Sequence, residues 1–176
     1  MKFFFDTEFI ERGPAFPITM LSIGIVGEDG SEYYAINADA DHSAANDWVK
    51  ANVLPHLGDS PPKPLALIGR EIEDFIHDGC GKEPYAGEKP EFWAYYCSYD
   101  WVVLCQSFGT MMDLPDSWPK YCNDLKVELE RNDNPKLPKQ TSQEHNALDD
   151  ARWTKNGYFW LHRSSDLLGI PPKTAV

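Results

Sequence analysis

Two carboxylates interrupt the first apolar strand of this chain at alternate positions, and no other feature limits its fold so tightly. Residues 2–9 read Lys-Phe-Phe-Phe-Asp-Thr-Glu-Phe, an aromatic, extended run. In a strand, side chains two apart project from one face, so Asp6 and Glu8 stand side by side. Two charges held that close repel at neutral pH. The repulsion is relieved if they share a divalent cation, and oxygen ligands of this kind suit magnesium or manganese. A strand end that turns into solvent gives the same pattern, so the pair needs support from elsewhere in the chain.

The rest of the sequence supplies a frame for that strand. Residues 18–26 form a mostly apolar run, and Glu28-Asp29-Gly30 makes a turn before a third strand at residues 32–37. The three predict an antiparallel meander. A helix is expected at residues 43–54, with Ala45, Trp48, Val49 and Asn52 on one face. Leu65, Ile68, Ile72, Phe75 and Ile76 give a second amphipathic helix that closes near Gly79. A buried strand at 92–96 runs into a helix at 99–108, with Ser98 as N-cap, Gly109 as stop and Trp101, Leu104, Cys105 and Phe108 as its apolar stripe. A shorter helix fits 124–131, and the last runs from 146 to 162. Proline and glycine mark loops at 55–64, 79–90 and 132–140. Strands first, then strands alternating with helices, predict an α/β fold: a mixed sheet covered by helices. One domain over residues 1–165 is expected, with a mobile tail at 166–176.

Three more residues join the first two acids. Asp100 falls in the first turn of its helix, directly after a core strand. Acids are favoured there by the helix dipole, and it is also the ligand-binding edge of open α/β sheets. His145 and Asp150 are five apart, too far round a helix to share a site unless His145 lies on the loop before it. Ala147, Ala151, Thr154, Tyr158 and Leu161 form the inward stripe of that helix. Asp150 borders the stripe, while Asp149 lies nearly opposite and reads as a solvated charge.

Charge limits the kind of partner. Sixteen Lys and Arg against 28 Asp and Glu give a formal net charge of −12, the wrong sign for gripping long duplexes through phosphates. Bound divalent cations would cancel several acids at the site, and an enzyme that trims chain ends needs few phosphate contacts. Cys80, Cys97, Cys105 and Cys122 have no metal-binding spacing and read as buried thiols. No apolar run approaches a membrane span, and the opening apolar stretch stops at Asp6, too early for a signal peptide. A cytoplasmic protein is expected.

Taken together, Asp6-Thr7-Glu8 on the first strand, Tyr99-Asp100 at a helix start, and His145 and Asp150 with four residues between them resemble the three motifs of the DEDDh 3′–5′ exonuclease family. The related DEDDy group carries Tyr where this chain has Asn146, which favours the histidine branch. Within the branch, Asp6 to Glu11, Leu21 to Val26, Glu28 to Tyr34, Ser98 to Trp101 and His145 to Arg152 resemble the RNase AS group, polyadenylate-specific 3′-exoribonucleases. Phe9-Ile10-Glu11 replaces the small residues usual in oligoribonuclease-type members.

The resemblance implies a ribonuclease H-like fold, a homodimer, two divalent metal ions (Mg2+ or Mn2+), and a single-stranded RNA 3′ end, poly(A)-like, as substrate. It implies Asp6 bridging both ions, Glu8 and Asp150 completing one, Asp100 holding the other partly through water, and His145 as general base. Phe9 is a candidate for base packing and the backbone at Thr7 for sugar contacts. Arg12, Lys136, Lys139 and Arg152 are unranked candidates for phosphate contacts. Two alternatives stay open: a DNA 3′–5′ exonuclease of proofreading type, and a catalytically inactive nucleic-acid-binding module on the same fold.

Overall fold

The computed structural model describes residues 1–81 and 89–167, with side chains as far as residue 162. Most of the expected loop at 79–90 and the tail beyond 167 lie outside the described residues. Strands β1 (Lys2–Ile10), β2 (Thr19–Gly27) and β3 (Glu32–Ile36) form the expected antiparallel meander. Asp29 shapes the β2–β3 turn by accepting from the Ser31 amide and hydroxyl at 2.9 and 2.7 Å, and Gly30 takes φ +94°. On the other side of β1, β4 (Glu91–Ala94) and the two-residue β5 (Asn123–Asp124) run parallel to it, giving the order β3-β2-β1-β4-β5.

Helices α1 (Asp47–Asn52), α2 (Leu65–Cys80), α3 (Ser98–Gln106), α4 (Leu125–Arg131) and α5 (Ala147–Leu167) flank this mixed sheet. The α/β expectation is met, and the arrangement is consistent with a ribonuclease H-like fold. Among the described residues, no helix is long and apolar enough to cross a membrane.

β1 is central because both of its faces are covered. Phe3 and Phe5 pack with Ile68, Ile72 and Ile76 of α2 and Leu104 of α3. Phe4 points the other way, against Leu125 and Leu129 of α4 and Leu161 of α5. All three phenylalanines are fully buried, each stabilising the fold by about 1.5–3 kcal/mol. A register slip between Glu8 and Phe9 turns Leu21 away from the cluster of Ile23, so that it joins Ile10, Ala45, Val49 and Val53 beside α1.

Several local expectations need correction. The helix expected at 43–54 is only α1, flanked by single 3-10 turns at His42–Ala44 and Leu54–His56. Its N-cap is Asn46, whose side chain accepts from the Val49 amide at 2.9 Å. Its inward face is Ala45, Val49 and Val53, and Trp48 stands 55 % exposed. Ser98 is not the cap of α3 but its first residue. The N-cap is Cys97, with no side-chain cap bond; Asp124 of β5 holds the turn just before the helix, its two carboxylate oxygens accepting from the Tyr96 and Cys97 amides, each at 3.2 Å. β4 ends at Ala94 rather than 96, because Tyr96 turns into the left-handed region at φ +59°. The apolar stripe of α5 is as expected: Ala147, Ala151, Thr154 and Leu161 are buried and Tyr158 packs beside them.

Gly24 shows why α5 can reach the sheet. It pairs with Asp6 across β1–β2, and a Cβ there would collide with the Ala147 carbonyl and the Leu148 backbone. A backbone cannot yield as a flexible side-chain tip does. Gly24→Ala is therefore expected to destabilise the protein by about 1–3 kcal/mol through overpacking, read as a lower urea midpoint. An unchanged midpoint would mean that the helix does not rest on this residue.

Candidate active site

The site lies where β1 outruns its neighbour. Parallel pairing with β4 stops at Phe4 and Trp93, so the C-terminal half of β1 has a paired strand only on the β2 side. Asp6 and Glu8 face the α5 layer, and Thr7 faces the α3 layer. Asp6 is half-buried and Glu8 is buried. From the α3 side, Asp100 occupies the first turn of its helix, also buried. One of its carboxylate oxygens accepts from the Thr7 hydroxyl at 2.6 Å and the Thr7 amide at 3.0 Å. Thr7 thus anchors Asp100 to the strand that carries the other two acids.

α5 delivers the remaining pair. Asn146 caps it, accepting from the Leu148 and Asp149 amides at 3.2 Å. Asp150 sits in the first turn and His145 on the loop just before it, as the five-residue spacing required. His145 has φ +63°, and its amide donates to Asp150 at 3.1 Å. The second Asp150 oxygen accepts from the Gln140 side chain at 2.5 Å. Candidate ligand atoms of Glu8, His145 and Asp150 lie within 4.8 Å of one another. Ligands at about 2.0–2.6 Å from a divalent cation span such distances.

The electrostatics of this cluster are adverse without a cation. Burial first, and then the charges of Asp100, Asp150 and Glu8, hold the Asp6 pKa well above the ordinary range. Burial followed by Asp150 and Asp100 pushes Glu8 up to about 8. Asp100 rises to about 6 through burial, although its bonds from Thr7 pull the other way. Asp150 is raised by burial, with Gln140 and the His145 amide opposing. An all-oxygen donor set whose members cannot all ionise together fits a divalent cation, which would restore their charged forms.

The neighbouring positions sort themselves by geometry. Phe9 is half-exposed and lies parallel to Tyr99, ring centroids 5.7 Å apart. Asp149 is not simply solvated: it accepts from Arg152 at 2.7 Å, while Arg152 also donates to both Glu32 oxygens at 2.8 and 2.6 Å. Arg152, expected among the phosphate candidates, therefore clamps α5 to β3. Arg12 lies over the Phe16 ring at 4.2 Å, and Lys136 and Lys139 are exposed.

The sequence reading missed three contributors. Gly24 carried a usable signal, since a lone glycine inside an apolar strand marks a close backbone approach. The Thr7 side chain and Gln140 carried none, because each matters only through a partner more than nine residues away.

Comparison with known proteins identifies a family. Residues 1–158 match the family described as "3′-5′ exoribonuclease Rv2179c-like domain". The chain belongs to this family. Its relatives include "3′-5′ exoribonuclease Rv2179c" of Mycobacterium tuberculosis strain H37Rv, 38 % identical over 160 residues and covering 86 % of this chain and 88 % of that protein. "3′-5′ exoribonuclease MT2234.1" of strain CDC 1551 / Oshkosh gives the same values.

A carboxyl whose pKa is raised on folding holds more protons folded than unfolded between the two values, so stability falls as pH rises through that interval. For Glu8 the interval runs from 4.5 to about 8, and for Asp100 from 3.8 to about 6. Glu32 and Glu71, held low by Arg152 and Lys63, act below it. The metal-free protein should thus melt at a lower temperature at pH 8 than at pH 5.5. Glu8→Gln should flatten the dependence, and millimolar Mg2+ should raise the melting temperature most at pH 8. A melting temperature that climbs with pH would refute the arrangement.

Proposed function

We propose that this protein is a metal-dependent 3′–5′ exoribonuclease of the DEDDh type, shortening single-stranded RNA one nucleoside 5′-monophosphate at a time. The observation that carries the reading is the convergence of Asp6, Glu8 and Asp150 with His145 on the α5 face of β1, closed from the α3 side by Asp100. Family membership supports the same activity, because both relatives are named 3′-5′ exoribonucleases.

On this reading Asp6, Glu8, Asp100 and Asp150 would hold two divalent ions. Bound cations supply Lewis-acid activation of the attacking water and neutralise charge at the leaving 3′ oxygen. The protein's residues do the rest. His145 accepts the proton of the attacking water, an assignment of general base that its position beside Asp150 supports. Asp150 accepts from the His145 amide and so fixes the loop that presents the imidazole. Thr7 holds the Asp100 carboxylate to β1, keeping the fourth acid in register with the first. Phe9, backed by Tyr99, offers an aromatic surface on which the terminal base can pack.

The resemblance to the RNase AS group favours adenylate-rich 3′ ends and a homodimer. Cys97, Cys105 and Cys122 form no disulfide among the described residues, which suits a reducing cytoplasm.

Digestion of 5′-labelled poly(A) RNA, poly(U) RNA and poly(dA), with manganese or with EDTA, tests the proposal. A manganese-dependent ladder shortening from the 3′ end, fastest on poly(A) RNA, is expected. Equal trimming of all three would remove the RNA and adenylate assignments and leave a proofreading-type exonuclease. No trimming by folded protein would leave a binding module. Asp150→Ala should abolish the ladder, a rate loss of at least about 1000-fold, without unfolding the protein. Robust trimming by that variant would overturn the site.

A further inference from the structure

We infer that Trp48 is a positioning residue for His145, and that α1 with the turn after it exists in part to hold the catalytic loop. The inference rests on the exoribonuclease reading for its kinetic arm only. Trp48 is the second residue of α1, a helix that with its flanking Ala45 and Val53 is already packed through Val49 against Ile10, Leu21 and Ile36. Its indole contributes nothing to that cluster and stands 55 % exposed. Exposure alone says nothing of a role; the contact that the indole makes does. Here it meets the His145 imidazole edge to face, ring centroids 5.0 Å apart at 82°.

His145 needs holding. Its backbone adopts φ +63°, a region that non-glycine residues occupy at a cost and keep only where their surroundings over-determine them. Two contacts fix the backbone: the amide to Asp150 at 3.1 Å, and the next residue, Asn146, donating from its side chain to the His56 carbonyl at 2.8 Å. The second of these reaches the 3-10 turn Leu54–His56 that follows α1. The same stretch of chain thus touches the histidine loop twice, once at the Asn146 side chain through the His56 carbonyl and once at the His145 ring through Trp48. Neither backbone contact sets the side-chain torsions of His145. The indole does, by walling one side of the imidazole, so that the ring stays with Glu8 and Asp150.

The test combines a double-mutant cycle with a measurement that needs no turnover. Single-turnover removal of one nucleotide from a 5′-labelled RNA pentamer is followed in manganese for wild type, Trp48→Leu, Trp48→Phe, His145→Ala and the Trp48→Leu/His145→Ala pair. Trp48→Leu should slow the chemical step about 3- to 10-fold, the range of an edge-to-face aromatic contact, with substrate half-saturation unchanged. Trp48→Phe should recover most of the rate. In the His145→Ala background, Trp48→Leu should have no further effect, because a residue acting only through the imidazole has nothing left to act on. Equal losses in both backgrounds, or weaker half-saturation with an intact rate, would overturn the inference and make Trp48 a direct base contact. Separately, the His145 Cε1–H resonance, assigned from its disappearance in His145→Ala, should move in Trp48→Leu far more than in Trp48→Phe. A still resonance overturns the inference whatever the activity. A shifted one with no trimming by the wild type sinks the exoribonuclease reading alone. Trp48 is exposed, so matching melting temperatures verify that the variants fold.

Discussion

Four carboxylates gathered within reach of one another are the constraint around which this molecule is arranged. In water such acids would separate, and inside the fold the charges of Asp100 and Asp150 add to burial in raising the proton affinity of Asp6 and Glu8. They stay together because none of their backbones is free to move. Asp6 and Glu8 lie on a strand whose preceding three residues are fully buried phenylalanines anchored on both faces of the sheet. The apolar core therefore carries the electrostatic cost of the site. Burial has a double effect, fixing the acids in place and making their uncompensated charge more costly, and both effects favour a bound divalent cation.

The two layers flanking the sheet bring in the other acids by different means. α3 is tied to β1 by a polar contact: Asp100 accepts twice from Thr7 in a buried setting where an unmade hydrogen bond is expensive. The turn just before it is held by Asp124 of β5, which accepts from the Tyr96 and Cys97 amides. α5 is placed by close approach, its first turn resting on Gly24 with no room for a methyl group. Arg152 and Lys155 then fasten it to β3 and to the end of β2. A tether sets Asp100 and a surface sets Asp150, so the gap between them depends on the sheet rather than on either helix.

This division explains what could be read from the sequence. The meander, the helices around Ile72 and Leu104, and the inward stripe of α5 follow from periodicity, which is a local property. Asp6, Glu8, Asp100, His145 and Asp150 were legible because each sits at a fixed place on its own element, and α5 delivers His145 and Asp150 as their spacing requires. What stayed hidden is pairwise and remote. β5 has two residues and no period to detect. The turn before α3 is held by Asp124, 27 positions from the Cys97 amide it binds. Trp48 fits an apolar helical face on paper, yet α1 begins only at Asp47 and its rotation turns the indole outward to His145. Asp149 looked solvated because its partner Arg152 is in turn held by Glu32, another element altogether.

The acidity of the whole chain bears on how RNA would be held. With a net charge of −12, long-range attraction to a polyanion is absent, and several cations are already committed. Arg152 is bound to Glu32 and Asp149, Lys63 to Glu71 and Lys126 to Glu130. Exposed aromatics also stand near the acids: Tyr99 beside Asp100 and Tyr96 at the turn before α3. Stacking on such rings contributes about 1–3 kcal/mol per base and is indifferent to salt, whereas phosphate contacts weaken steeply as salt rises. On the proposed reading, a site built this way would favour unstacked, single-stranded ends, whose bases are free to lie against a ring, over duplexes that present only phosphates. Once the end is seated, charge neutralisation is needed only at the phosphate being cut, and there the same four acids that repel the rest of the strand would concentrate the divalent cations that admit it.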